Sequence, residues 1–381
     1  MIILIIFCFL ISLIAIFWSY LGYAIHLLVL SKRKKNNTFE NNLEFKEVTL
    51  LITAFNEEKR INEKIKNTLK LNYPKDKLKI YVASDGSTDQ TNDIIRSYKM
   101  EGIQLIEIKQ RKGKENAQKE AIRQTKGDII VFSDVATKLD KNGLAEIVSN
   151  FNDPSVGCVS STDKFINKDG KESGEGAYVK YEMWLRRLES QVYSLVGLSG
   201  SFFAARRKVC ENLSTEYPSD FGVLLNSIKM GYRGISDPKA IGYYEDLSDQ
   251  SKEFSRKVRT VLRGITAFTK NIDLLNIFNY GFFSYQLFCH KLLRWLVPFF
   301  LILIFVSNIF LFENSNLFKI IFIVQTLFYL LALFGYLSPK FESNILIKIP
   351  KYFVAVNSSI FIAWLKFFKG ERIVMWQPSK R

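Results

Sequence analysis

The first thirty residues contain no Lys, Arg, Asp or Glu. About 20 apolar residues are enough for a helix to cross a bilayer. The run lacks a positive start and a small-residue cleavage site, and it is longer than a signal-peptide core. Residues 1–30 therefore read as a transmembrane helix. They run into Ser31-Lys32-Arg33-Lys34-Lys35. Basic flanks stay on the cytoplasmic side, which puts the amino terminus outside and the following domain inside.

The rest of the chain keeps apolar and charged residues apart. Hydrophobic residues make up 48%, with 32 Phe, yet 24% is charged. These extremes coexist because residues 290–368 are mostly apolar and the middle holds nearly all the acids. Residues 292–312 and 318–337 read as two further spans, separated by Glu313-Asn314-Ser315-Asn316. Residues 345–368 are ambiguous, because they carry Lys348, Pro350, Lys351, Asn357 and Lys366. A crossing there would put the basic tail, 369–381, outside, so the balance tips slightly from a third C-terminal span toward a re-entrant or interfacial segment. Residues 265–289 are amphipathic and aromatic, fitting either an interfacial helix or a helix that closes the soluble core. The expected layout is a membrane helix at 1–30, a soluble domain at 45–264, an amphipathic segment at 265–289, a membrane region at 290–368 and a basic cytoplasmic tail.

The net charge is 53 − 37 = +16. The cations are dispersed and several flank apolar runs, which favours anionic membrane lipids and an anionic substrate over nucleic acid. The cysteines, Cys8, Cys158, Cys210 and Cys289, have no C-x-x-C spacing, so neither a zinc site nor a disulfide framework is suggested. The two histidines, His26 and His290, lie near the membrane. That argues against a His-based triad in the soluble domain.

That domain alternates short apolar runs with helical spacing. Strands are expected at 48–54, 78–83, 103–108 and 128–132, and helices at 60–70, 90–99 and 114–125. Such alternation implies an α/β fold with a mostly parallel sheet. Polar clusters end three of the strands: Thr53, Asn56 and Glu57; Asp85; and Asp134. Ligands of open α/β sheets sit beyond the carboxyl ends of strands, so these residues are expected to share one crevice. There is no G-x-x-x-x-G-K-[ST] and no G-x-G-x-x-G after the first strand, which disfavours an ordinary NTPase or dinucleotide enzyme.

In order, the motifs are Thr53-Ala54-Phe55-Asn56-Glu57, Asp85-Gly86-Ser87-Thr88-Asp89, Gly113-Lys114-Glu115-Asn116-Ala117, Ser133-Asp134-Val135-Ala136, Gly197-Leu198-Ser199-Gly200-Ser201 and Ser219-Asp220-Phe221. This succession resembles the membrane-bound branch of glycosyltransferase family 2, which includes cellulose, chitin, hyaluronan and poly-N-acetylglucosamine synthases. The resemblance covers roughly residues 45–265 and extends to the flanking hydrophobic segments. It implies a GT-A type nucleotide-sugar-binding domain with transmembrane helices at both ends. It also implies that Thr53, Asn56, Glu57, Asp85, Lys114 and Asp134 bind the nucleotide sugar. Asp134 would hold a divalent ion, Mg2+ or Mn2+. Ser199 and Gly200 would line the acceptor and donor-sugar pocket, and Asp220 would be the general base.

The chain departs from the family pattern at several points. Ser84 and Ser219 stand where the family has acids, and Ala136 replaces the second metal-site carboxylate. Arg256-Lys257-Val258-Arg259-Thr260 sits where processive synthases carry Gln-x-x-Arg-Trp. Arg259 keeps the Arg, with Arg256 in place of Gln and Thr260 in place of Trp. Spacings of four, three and four put Lys252, Arg256, Arg259 and Arg263 on one helical face, which suits a diphosphate or lipid phosphates. The expected function is inverting sugar transfer from a nucleotide diphosphate donor, a UDP-sugar first, to a polysaccharide or lipid-linked acceptor, as in envelope or exopolysaccharide synthesis. The alternative is a degenerate transferase acting as a membrane scaffold.

Overall fold

The computed structural model describes residues 1–33, 45–166, 177–245, 250–338, 341 and 344–373. Lys34, Lys35, the tail beyond Ile373 and the side chain of Lys252 lie outside the described residues. The chain forms two compact units. One comprises Met1–His26, Asp249–Thr266 and Leu287–Arg372; the other comprises Leu27–Ser248, Ala267–Gln286 and Ile373–Arg381.

The second unit is built on an eight-stranded sheet. Its strands are β1 (Val48–Ala54), β2 (Leu78–Asp85), β3 (Ile103–Ile108), β4 (Ile129–Asp134), β5 (Lys138–Leu139), β6 (Val156–Ile166), β7 (Phe202–Arg206) and β8 (Arg233–Glu245). The order is β3-β2-β1-β4-β7-β6-β8-β5. β1, with every residue buried, is the central strand and pairs in parallel with β2 and β4. A run such as Val-Thr-Leu-Leu-Ile-Thr-Ala survives there because both of its faces are covered. Strand order reverses between β1 and β4, the switch point at which such sheets open a crevice. Thr53 and Asp134 are register partners there. Beyond β4 the sheet turns mixed: β7 runs antiparallel to β4 and β6, while β8 runs parallel to β6.

Leu50, Ile52, Val82 and Val131 line one face of the sheet, covered by Ile61 and Ile65 from helix Ile61–Leu69 and by Phe151. Phe132 and Phe203, paired across β4 and β7, stack at 4.5 Å and 13°. Both are fully buried, just inside the ends that carry Ser133, Asp134 and Ser201.

Among the described residues four helices are long and apolar enough to cross a membrane, Ile2–Arg33, Phe282–Leu311, Asn316–Leu337 and Ile345–Phe368, and most of their length falls in the first unit. The last settles the conformation of residues 345–368. They form one helix of 24 residues that runs through Pro350, with Asn344 capping its start by accepting from the Leu346 amide. At 1.5 Å per residue it spans about 36 Å, enough for a hydrocarbon core of about 30 Å. Leu317, Ile320, Ile323, Val324 and Leu327 on Asn316–Leu337 are exposed, a stripe suited to lipid. Phe9 packs with Ile304 and Leu311, and Trp364 Nε1 donates to the Trp295 carbonyl at 2.9 Å. The π-helical turn Trp18–Gly22 lets the Ser19 carbonyl accept from Arg294 Nε at 3.1 Å. Such turns free a carbonyl for a side-chain donor.

Phe203→Ala is expected to cost about 3 to 5 kcal/mol, the usual price of deleting a buried aromatic. Thermal unfolding of the detergent-purified chain reads this as a lowered midpoint; an unchanged midpoint would show that the Phe132–Phe203 stack does not anchor β4 to β7.

Candidate active site

The crevice at the switch point is organised around Lys114, the first residue of helix Lys114–Gln124. Its Nζ donates to Asp134 Oδ1 at 2.5 Å and to the Gly200 carbonyl at 3.0 Å. The side chains are 11% and 26% exposed for Lys114 and Asp134. Burial works against the ammonium, but Asp134 outweighs it, aided by Glu115 and Asp220, so the Lys114 pKa is held above its ordinary value. Asp220 stands in the first turn of helix Ser219–Lys229. Its carboxylate lies against Gly200: a methyl placed there would meet Asp220 Oδ2 at 3.4 Å. The Asp134 amide donates to the Ser201 carbonyl at 2.9 Å, fixing β4 to the loop before β7. Lys114, Asp134, Ser199, Gly200 and Asp220 are thus gathered at one place.

Thr53, Asn56, Glu57 and Asp85 end the neighbouring strands. Thr53 Oγ1 is buried and has no hydrogen-bond partner. Asn56 takes a left-handed conformation, φ 51°. Its Oδ1 accepts from the Thr88 amide at 2.9 Å, and its amide donates to Ser87 Oγ at 3.1 Å. Glu57 is 5% exposed and its carboxylate pairs with Arg60 at 2.8 Å. Burial raises the Glu57 pKa, Arg60 opposes this, and Asp134 adds to the rise.

Asp85 is fully engaged by the backbone. Its two oxygens accept from the amides of Lys112 at 2.9 Å and Gly113 at 2.8 Å. It therefore clasps the turn that delivers Lys114. Gly86 makes the clasp possible: its φ is +69°, and a Cβ there would strike the Arg111 amide at 2.7 Å. The Arg111 guanidinium lies over the Phe55 ring at 3.7 Å, in cation–π range. Ser84, in place of an acid, donates to Ser87 Oγ at 2.9 Å.

Four further residues support the site and were not found from the sequence. Lys64 is 3% exposed, and its Nζ donates to Ser133 Oγ and the Thr137 carbonyl, both at 2.6 Å. It grips both flanks of Asp134. Asp163, in the middle of β6, accepts from Ser199 Oγ at 2.7 and 2.8 Å. Burial raises the Asp163 pKa, while Arg186 and the surrounding hydroxyls oppose the rise. Arg186 donates to Ser160 Oγ at 2.5 Å and to the Gly197 carbonyl at 3.2 Å. Burial, and then Asp163 and Asp134, hold the Tyr244 hydroxyl well above its ordinary pKa, with the hydroxyls of Thr137 and Ser199 opposing the rise. An Asp in a strand was the one visible signal. The partners of Lys64, Arg186 and Tyr244 are set by tertiary folding.

Arg256 and Arg259 belong to the other unit, on helix Gln250–Lys270. Burial lowers the Arg259 pKa, and repulsion from Arg263 and Arg256 adds to this. The three guanidiniums therefore share one face, as their spacing requires.

Among the described residues no group of three or more His, Cys, Asp or Glu side chains is gathered for a metal. Mg2+ is commonly held by one or two carboxylates together with substrate phosphates and waters. Asp134, partly exposed, fits that shared mode, and Ala136 adds no ligand. The donor set suits an ion that arrives with a diphosphate rather than one caged by protein alone.

Lys64 sets a pH dependence. Burial pushes its pKa down from 10.5 to about 7, with Asp134 pulling the other way. Between about pH 7 and pH 10 the unfolded lysine holds a proton that the folded one has lost, so stability rises with pH. Below about 7 the folded state bears the full cost of the buried charge. Lys64→Met is expected to flatten that rise, read from unfolding midpoints at several pH values with a chelator present; an unchanged slope would assign the dependence elsewhere.

Residues 49–214 match the family model described as Glycosyl transferase family 2. A probable glycosyltransferase, YdaM, of Bacillus subtilis (strain 168) is 27% identical over 273 residues, covering 65% of this chain and 64% of that protein. The poly-beta-1,6-N-acetyl-D-glucosamine synthase of Staphylococcus aureus (strain COL) is 29% identical over 127 residues, 33% of this chain and 30% of that protein. The chain thus spans less than two thirds of either curated relative. Among solved structures, the mannosyltransferase PcManGT from Pyrobaculum calidifontis, in complex with GDP-Man and Mn2+, superposes with a TM-score of 0.76 at 20% identity, covering 96% of this chain and 99% of that one. That likeness shows a shared GT-A fold. Across residues 49–214 the chain is thus similar to glycosyl transferase family 2.

Proposed function

We propose that the chain is an inverting glycosyltransferase. It would move a sugar from a nucleotide diphosphate donor, a UDP-sugar by first choice, to a glycan or lipid-linked acceptor at the cytoplasmic face of the cell membrane. The observation that carries this reading is the placement of Lys114 between Asp134 and the Gly200 carbonyl, with Asp220 against Gly200. A leaving diphosphate needs a cation, and an attacking hydroxyl needs a base. Here a buried ammonium and a carboxylate flank one backbone turn.

In this mechanism Asp220 accepts the proton of the acceptor hydroxyl as its oxygen attacks the anomeric carbon. The bond from that carbon to the diphosphate breaks on the opposite side, so the centre inverts. Lys114 faces the departing diphosphate, and Thr53, Asn56 and Glu57 border the nucleotide. Asp85 acts by holding the Lys114 turn. Arg256 and Arg259 offer a cationic face for phosphates. A divalent ion, held by Asp134, donor phosphates and waters, would neutralise the leaving group. The poly-N-acetylglucosamine synthase relative supports a glycan acceptor, and the neighbour crystallised with GDP-Man and Mn2+ supports a nucleotide sugar with a divalent ion.

The test measures nucleotide diphosphate release from a panel of sugar nucleotides by the purified full chain. Asp220→Asn should lower turnover on the order of 10²- to 10⁴-fold while donor binding stays near the parent's. Undiminished turnover would remove Asp220 from the role. Lys114→Met should weaken donor binding about ten- to a hundredfold, the worth of a charge-assisted contact. Release from no donor by the parent would leave the scaffold reading instead.

A further inference from the structure

Asp134 is the single carboxylate at a position where the family pattern has two, because Ala136 stands in the second place. Its Oδ1 already accepts from Lys114 Nζ at 2.5 Å. Glu57, the other acid at the ends of these strands, is held by Arg60 at 2.8 Å. A site with two acids can keep an ammonium on one and a metal ion on the other. A site with one acid must choose.

We propose that Lys114 is a displaceable counterion of Asp134: it keeps a divalent ion off that carboxylate until a nucleoside diphosphate takes the ammonium over. The inference rests on the donor reading given above. Three observations support it.

The first is exclusion. The Lys114 and Asp134 side chains are 11% and 26% exposed, so charges brought together there are weakly screened. An ion on the second oxygen of Asp134 would stand beside the ammonium on the first and be repelled by it. Ala136 supplies no charge to offset that repulsion.

The second is freedom to move. The backbone at Lys114 is fixed, because Asp85 holds the amides of Lys112 and Gly113. The ammonium is not fixed, since it ends a four-carbon stem with rotatable bonds. Lys64, on the other flank of Asp134, is 3% exposed and tied to Ser133 Oγ and the Thr137 carbonyl. Of the two lysines, Lys114 is the one able to change partners. It opens helix Lys114–Gln124, whose amino end favours an anion, so a new partner would arrive beside its own Cα.

The third is charge balance. A diphosphate replaces Asp134 as partner of the ammonium, and a divalent ion replaces the ammonium as partner of Asp134. Neither buried charge is then left bare, which would be costly. Either ligand alone leaves one charge short of a partner. The two therefore bind together better than singly, and such coupling is reciprocal.

Mn2+ binding to the full chain, purified in a neutral detergent, is followed by electron paramagnetic resonance, alone and with UDP or GDP, after subtraction of the Mn2+ that the nucleotide holds in solution. The parent should bind Mn2+ weakly alone and about tenfold or more tightly with the diphosphate it accepts. K114Q keeps a hydrogen-bond donor for Asp134 and the Gly200 carbonyl but removes the charge. It should bind Mn2+ alone about ten- to a hundredfold more tightly than the parent, the worth of a charge-assisted contact, and gain little further from the diphosphate. K114Q/D134N should lose that gain. K112M removes a neighbouring exposed charge and should match the parent. Unchanged Mn2+ affinity in K114Q, an equal gain in K112M, a gain that survives in K114Q/D134N, or a bound diphosphate that leaves the parent's Mn2+ affinity as it was would each overturn the proposal. Diphosphate release from sugar nucleotides by the same preparations reports separately on sugar transfer, so failure of one reading is distinct from failure of the other.

Discussion

The arrangement of the sheet-bearing unit depends on one buried ammonium. Lys114 is taken out of water at the end of a sheet, where an unpaired charge would cost several kcal/mol. Asp134, the Gly200 carbonyl and the nearby Asp220 balance it. These partners come from β4, the loop before β7 and the helix that follows. Asp85 and Gly86 fix where the lysine emerges, because the Asp85 carboxylate seizes two successive amides of its turn. The Phe132–Phe203 stack fixes where Asp134 and Gly200 end. Displacing any of these parts would leave a charge without its counterion, so the site and the fold constrain each other.

The half of this arrangement built from local signals was legible in the sequence. β1 to β4 are short apolar runs closed by polar turns, and ladder and burial act on each run in the same way. The motif order pointed to the family whose model residues 49–214 match. Asp85 was legible as a residue, expected as a nucleotide contact, but the hold of its oxygens on the backbone of Lys112 and Gly113 was not. The antiparallel return of β7 and β6 was not legible, since it depends on pairings between distant segments. Residues 345–368 were divided between a span and a re-entrant segment because Pro350 and three lysines weigh against a helix in isolation. In the structure the helix runs through Pro350 all the same, and the Asn344 cap starts it.

The residues that sequence reading missed share a property. Lys64, Asp163, Arg186 and Tyr244 are polar groups within apolar patterns, and each is engaged by partners outside its own element. Lys64 reaches Ser133 and Thr137 from a helix some seventy residues earlier. Buried polar groups that are fully paired make a network rigid, whereas partly paired ones are costly. Here they hold the backbone on both sides of Asp134 and across the Ser199–Gly200 turn. Ala136 leaves the metal position with one carboxylate, so that carboxylate must be held in place by its neighbours.

Helix Gln250–Lys270 carries cations on two faces. Arg256, Arg259 and Arg263 repel one another on one face, and Lys257, on another, pairs with Glu253. At about 100° per residue, Lys257 lies on the order of 100° or more around the helix from each of those arginines. One face alone would make every anion compete for the same charges. The segregation also explains why the departures from the processive motif fall where they do. Arg256 adds charge to the arginine face, and Thr260 places a small hydroxyl where the processive pattern has an aromatic ring.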